Sequence, residues 1–221
     1  WGCTVVLMSA TQPSFQNVDS NFDQKCVDII DRPRSEYFFN EARLVNYQIS
    51  FECWNWERVA QKIGNYDRSL TIVNTTKLSR EGFQALSNLV KGDWFHLSAR
   101  MVPAHRRQVI ETIKKRLDDK LSCHVISTQV VEAGVDLDFS FVMRQLAPLD
   151  SIIQAAGRCN REGKIGNWQD AIVQVFELEG NNYPSSDYAR KTQITRDILN
   201  SPDYDLNENL LEAIAFYYSR C

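Results

Sequence analysis

Short runs rich in β-branched and aromatic residues alternate along this 221-residue chain with longer stretches of helical periodicity. Leu44–Phe51, Ser69–Asn74, Trp94–Leu97, His124–Ser127, Phe139–Arg144 and Ala171–Glu177 read as strands, with a further strand at Thr4–Met8. Between them, Trp54–Ile63, Leu78–Lys91 and Pro103–Lys120 read as helices. In the last, Val109, Ile110, Ile113 and Leu117 form one apolar stripe, and Pro103 occupies the favoured first turn. Strands that alternate with helices demand a parallel sheet covered on both faces, and near-continuous apolar runs such as Thr71–Val73 fit strands buried on both sides. The expected fold is therefore α/β. In such sheets ligands gather at the carboxyl ends of the strands, which directs attention to the loops starting near Asn74, Ser98, Thr128 and Gln145.

The ends read differently. The stretch Thr11–Ser20 is polar and reads as a loop or linker, and Glu179–Asp187 is turn-rich. Two further helices are expected around Ser186–Leu199 and Leu206–Ser219. Phe216, Tyr217 and Tyr218 in the second are expected to bury an apolar patch against another domain. Opening on Trp1 rather than Met, the chain is expected to belong to a longer protein. Trp1–Met8 lacks the basic start and cleavage site of a signal peptide, and no apolar run reaches the length of a membrane span. With a formal net charge of −3, the chain as a whole is not a polyanion-binding surface, so any nucleic-acid contact must be local. Six scattered cysteines without Cys-x-x-Cys spacing argue against a zinc site or a disulfide framework, and fit a reducing cytoplasm.

The sharpest local signal is Gln154-x-x-Gly157-Arg158-x-x-Arg161 after a helix start at Asp150. Arginines three apart on a helix share a face, and two guanidinium groups aimed at one anion suit the charge that develops in phosphoryl transfer. Gly157 permits close backbone approach. Upstream, Thr128 follows a strand and is expected to cap a helix whose amides bind phosphate. Gly134 allows a turn, and Asp136 offers a carboxylate to ribose hydroxyls. Ser9 and Thr11 end the first strand, Thr75 and Thr76 close another, and Ser98 and Arg100 follow a third. Taken singly, each of these is as well explained by a helix cap or a turn.

Their order separates the readings. Ser-Ala-Thr at 9–11, Thr75-Thr76, Ser98-x-Arg100, then Thr128 through Glu132, Gly134 and Asp136, then Gln154 through Arg161, resembles motifs III to VI of superfamily-two helicases. Within that superfamily, the stretch from Ala147 to Gly163 is similar to the CRISPR-associated helicase-nuclease of type I systems. The resemblance implies a second RecA-like motor domain. Residues 1–20 would end the first motor domain, 21–180 would form the second, and 181–221 a helical extension. It further implies that Ser9 and Thr11 couple hydrolysis to strand movement. Thr75, Ser98, Arg100 and Thr128 would contact single-stranded DNA phosphates, while Gly134, Asp136 and Gly157 would face the nucleotide. Gln154, Arg158 and Arg161 would reach the γ-phosphate, with Arg161 as arginine finger.

The implied cofactor is ATP with magnesium, and the implied partners are single-stranded DNA, the preceding helicase domain and an RNA-guided CRISPR surveillance complex. The chain has no Gly-x-x-x-x-Gly-Lys loop and no Asp-Glu-x-His pair, so it is not expected to hydrolyse ATP alone. Its three histidines, His96, His105 and His124, stand beside no aspartate, and no metal site is expected among them. Whether a nuclease lies elsewhere in the protein is not legible here. Two rival readings stay open: a superfamily-two RNA or DNA-repair helicase, and an ATP-independent nucleic-acid-binding module that keeps the helicase fold.

Overall fold

A computed structural model describes residues 43–131, 135–180 and 183–221, together with 30, 33–35 and 37. The strand expected at Thr4–Met8, with Ser9 and Thr11 at its end, lies outside the described residues, as does Gly134. Six strands form one sheet: β1 (Asn46–Trp54), β2 (Arg68–Ile72), β3 (Trp94–Leu97), β4 (Cys123–Ser127), β5 (Phe141–Gln145) and β6 (Ile172–Leu178). Their spatial order is β1-β6-β5-β2-β4-β3, and every neighbouring pair runs parallel. The helices are α1 (Trp56–Ile63), α2 (Thr76–Leu89), α3 (Pro103–Asp118), α4 (Leu149–Ala156), α5 (Ser186–Asn200) and α6 (Leu210–Arg220).

Alternation along each strand sorts the core into two layers. Leu70, Ile72, Val125, Val142 and Val175 point to one face, where Ile113 of α3, Ile152 of α4, Ile198 of α5 and Ile214 of α6 cover them. Val73, Ile126, Met143 and Phe176 point to the other, against Val59 and Ile63 of α1 and Leu86 of α2. Burial of such side chains stabilises the fold by about 1.5–3 kcal/mol apiece before entropic costs. The fold is the parallel α/β sheet that the alternation requires, and it has the RecA-like form that the resemblance implies.

Boundaries shift where side chains decide them. Trp54 stays in β1, paired with Leu178, because Asn55 caps α1 by accepting the Arg58 N–H at 2.9 Å. Thr75 likewise caps α2 from Leu78, starting that helix two residues earlier than its apolar pattern indicates. Gly82 lets α2 approach closely: a Cβ there would lie 2.5 Å from both Ile126 Cδ1 and Trp56 Cη2.

The expectation that Phe216, Tyr217 and Tyr218 cover another domain is corrected. Tyr217 is 2% exposed inside this chain's own core, with Phe216 and Tyr218 packed beside it. Helices α5 and α6 are built into the fold. Asn207 reaches the edge strand, accepting the Tyr47 N–H at 2.8 Å and donating to the Tyr47 carbonyl at 3.0 Å, so it mimics a strand partner there.

Candidate nucleotide and nucleic-acid sites

The residues singled out by sequence fall into two groups, one at each edge of the sheet. At the carboxyl edge, Thr75 follows β2, Ser98 follows β3 and Thr128 follows β4. Ser98 Oγ accepts the Arg100 N–H at 3.2 Å, and the Thr128 N–H donates to Leu97 O at 3.4 Å, so these loops are tied to one another. Ser98 is only 4% and Thr128 7% exposed, whereas Arg100 is exposed. The serine thus shapes the turn that projects the cation.

A groove of 290 Å³ opens here, lined by Thr76, Lys77, Arg80, His96, Ser98 and Arg100. His96 shares a 3.0 Å hydrogen bond with Ser79 Oγ. Burial, and then the Arg80 charge, push its pKa below the ordinary histidine value, so at neutral pH the groove's charge rests on Lys77, Arg80 and Arg100. Lys77 and Arg80 escaped the sequence reading. A signal existed: α2 has no acidic residue in its first turn and carries Lys77 there, opposing the helix dipole. Glu81 one turn on partly offsets this at 3.8 Å, and a bound anion would offset it further.

The second group lies at the opposite edge. Helix α4 leaves the carboxyl end of β5 and runs back, so Arg158 meets the chain just before β5: the Phe139 N–H donates to Arg158 O, and the Asn160 N–H to Phe139 O, each at 2.9 Å. This corrects the expectation that Arg158 and Arg161 share a helical face. The helix ends at Ala156 with Gly157 as its cap, and the chain then bridges Phe139 at Cys159 and turns through Asn160 at φ 47°. Asparagine tolerates that conformation, and its side chain locks the turn by donating to Leu44 O and accepting the Ile165 N–H.

Arg161 therefore projects from a braced loop. Its guanidinium meets Asp136 Oδ1 at 2.9 Å, its N–H donates to Asp138 Oδ1 at 2.8 Å, and Lys114 of α3 approaches Asp136 at 3.6 Å. A cleft of 620 Å³ lies alongside, lined by Arg68, Lys114, Asp136, Asp138, Glu162 and Lys164. Gln154 and Gly157 are exposed at the same end of α4. A Cβ on Gly157 would meet nothing closer than Gln154 O at 3.4 Å, so nothing among the described residues requires glycine there. Exposed guanidinium beside a bare backbone fits a phosphate approached from outside.

The expected cap at Thr128 is also corrected. Among the described residues a single 3₁₀ turn, Gln129–Val131, follows instead of an α-helix, and Asp136 lies at the far edge between buried Val135 and Leu137. Helix α4 runs from one site to the other.

Residues 65–164, from α1's trailing turn to the Arg161 loop, match the family model described as CRISPR-associated nuclease/helicase Cas3, C-terminal. The Cas3 of Methanothermobacter thermautotrophicus aligns over 95% of the chain at 28% identity, and the chain spans 27% of that protein. The Cas3 of Haloferax volcanii is 49% identical over 77 residues, 35% of the chain and 8% of the relative. The likeness is to the C-terminal helicase portion of Cas3 nuclease/helicases. A T. fusca Cas3–ATP structure superposes at a TM-score of 0.67 with 19% identity, covering 90% of this chain and 25% of that one, which marks the shared fold. The chain spans about a quarter or less of the curated Cas3 relatives it matches.

Proposed function

We propose that this chain is the second motor lobe of an ATP-driven single-stranded-DNA translocase that unwinds target DNA in CRISPR interference. The observation that carries the reading is the placement of a cationic groove at one edge of the sheet and of the Arg161 loop with its mixed-charge cleft at the other, joined by α4. ATP would enter at the Arg161 edge, clasped between this lobe and a preceding one that supplies the phosphate loop and the magnesium ligands. Gly134 and Asp136 would face the nucleotide sugar.

As water displaces ADP from the γ-phosphorus, negative charge grows on the phosphoryl oxygens. Arg161 would leave Asp136 for those oxygens, Arg158 and Gln154 would support it, and Lys114 would stay to neutralise Asp136. A guanidinium so aimed contributes roughly 10³–10⁵ in rate. At the other edge, Thr75, Ser98, Arg100 and Thr128 would hold strand phosphates, joined by Lys77 and Arg80. None of these groups reads a base edge, so binding would be sequence-tolerant and salt-sensitive. Ser9 and Thr11 would couple the lobes. Family likeness supports an RNA-guided surveillance complex as the source of the strand, and hence a cytoplasmic setting.

The test is ATP hydrolysis by the full-length protein with and without single-stranded oligonucleotide, wild type beside Arg161→Ala, and this chain alone as control. Stimulated hydrolysis in the wild type, a loss of several orders of magnitude in the variant and silence of the isolated chain are expected. Full activity in Arg161→Ala would move the finger to Arg158. No stimulation in the wild type would favour a binding module that keeps the helicase fold.

A further inference from the structure

At the carboxyl edge, behind the strand-gripping loops, lies a buried polar network that the motor reading does not use. Arg144 of β5 is fully buried, and its NH1 donates to Asn74 Oδ1 at 2.7 Å and to Gln145 O at 3.0 Å. Asn74 in turn donates through Nδ2 to Leu146 O and receives Gln145 Oε1 on its own N–H, each at 2.9 Å. One hydroxyl completes the array. Tyr188 Oη, from the first turn of α5, donates to Asn74 Oδ1 at 2.8 Å and accepts from Arg144 NH2 and Gln129 Nε2, both at 2.9 Å. A phenol offers one donor and two acceptor sites, so these three bonds use its full capacity.

The partners matter by their neighbours. Asn74 immediately precedes Thr75, and Gln129 immediately follows Thr128. The two loops whose hydroxyls are assigned to the strand are thus each pinned, one residue away, to the same oxygen. That oxygen comes from helix α5, 59 residues beyond Gln129 and 114 beyond Asn74. Buried hydrogen-bond networks of this kind restrict the arrangements open to the loops they join.

We infer that Tyr188 is a positioning residue for the strand grip: its hydroxyl holds the Thr75 and Thr128 loops in register, so that helix α5 sets the affinity for single-stranded DNA without touching it. The inference rests on the proposed motor function. Phenylalanine at 188 keeps the ring packed and removes only the hydroxyl, freeing the two loops from each other. Threonine hydroxyls are neutral, so the loss falls on contact geometry and leaves counterion release unchanged.

The experiment compares full-length wild type, Tyr188→Phe and Thr195→Ala for binding of a fluorescent oligo-dT and for oligo-dT-stimulated ATP hydrolysis. Thr195 is fully buried on the same helix, bonds only its own helix backbone at Lys191 O, and serves as the control for plain destabilisation of α5. Tyr188→Phe should raise the oligonucleotide concentration for half-saturation about tenfold, the scale of a lost buried hydrogen bond. Its saturating hydrolysis rate should stay within about twofold and its salt dependence of binding should match wild type. Thr195→Ala should lower the melting temperature and leave half-saturation unchanged.

Unchanged half-saturation in Tyr188→Phe, or an equal shift in Thr195→Ala, overturns the inference while the motor reading stands. A wild type that binds no oligo-dT overturns both.

Discussion

Arg161 meets Asp136 through its guanidinium and Asp138 through its backbone N–H, and in the proposed role the guanidinium would exchange Asp136 for phosphate oxygens, which a planar fork engages at two points and an ammonium at one. Arg161→Lys in the full-length protein should therefore recover less than about a tenth of the stimulated hydrolysis, although the charge is kept. Steady-state rates beside Arg161→Ala will read this directly. The thiols give a second residue-scale prediction. Burial pushes Cys123 and Cys159 up to about 12 from an ordinary 9. Below pH 9 folded and unfolded chains both keep these protons, and stability is unaffected. Between about pH 9 and 12 the unfolded chain sheds protons that the folded chain retains, so the urea midpoint should fall as pH rises. Cys123→Ala with Cys159→Ala should flatten that slope. At pH 8 a thiol reagent should label exposed Cys53 and Cys221 and spare the buried pair.

Helix α2 shows how an element is chosen by packing over propensity. Alanine at 82 would favour the helix by about 1 kcal/mol on propensity alone. The Cβ would nevertheless strike the buried Ile126 and the Trp56 ring, and the displacement is expected to win. Gly82→Ala should destabilise the chain by about 1–3 kcal/mol in denaturant titration. Propensity and period made most elements legible from sequence: short runs rich in β-branched and aromatic residues gave β2, β4 and β5, and the Ile113 stripe gave α3. The end of α4 was not legible, because Gln154 to Arg161 keeps helical spacing while a long-range bridge between Cys159 and Phe139 pulls the chain straight. The Tyr188 array was hidden for the same reason, since its members lie 44 to 114 residues apart. Tyr217 read as surface because three successive aromatics at the end of a helix carry no mark of which face the fold covers.

At the scale of the whole molecule, the order of motifs singled out most candidate residues but neither Lys77 and Arg80 nor the division between two edges, which the return of α4 creates. That division makes a prediction about salt. Lys77, Arg80 and Arg100 are the groove's cations, so each one neutralised in contact with a phosphate should contribute about 0.7 to the slope of log affinity against log salt. Arg100→Ala should lower that slope by about this amount on oligo-dT of any sequence.

The central claim is that one lobe grips nucleotide at one edge and strand at the other. The most direct measurement is a crossed comparison in the full-length protein: oligo-dT affinity and unstimulated ATP hydrolysis, each for Arg161→Ala and for Arg80→Ala with Arg100→Ala. The account predicts that Arg161→Ala loses hydrolysis and keeps affinity, whereas the groove double variant loses affinity and keeps unstimulated hydrolysis. Loss of both properties in either variant, or an exchange of the two effects, would contradict it.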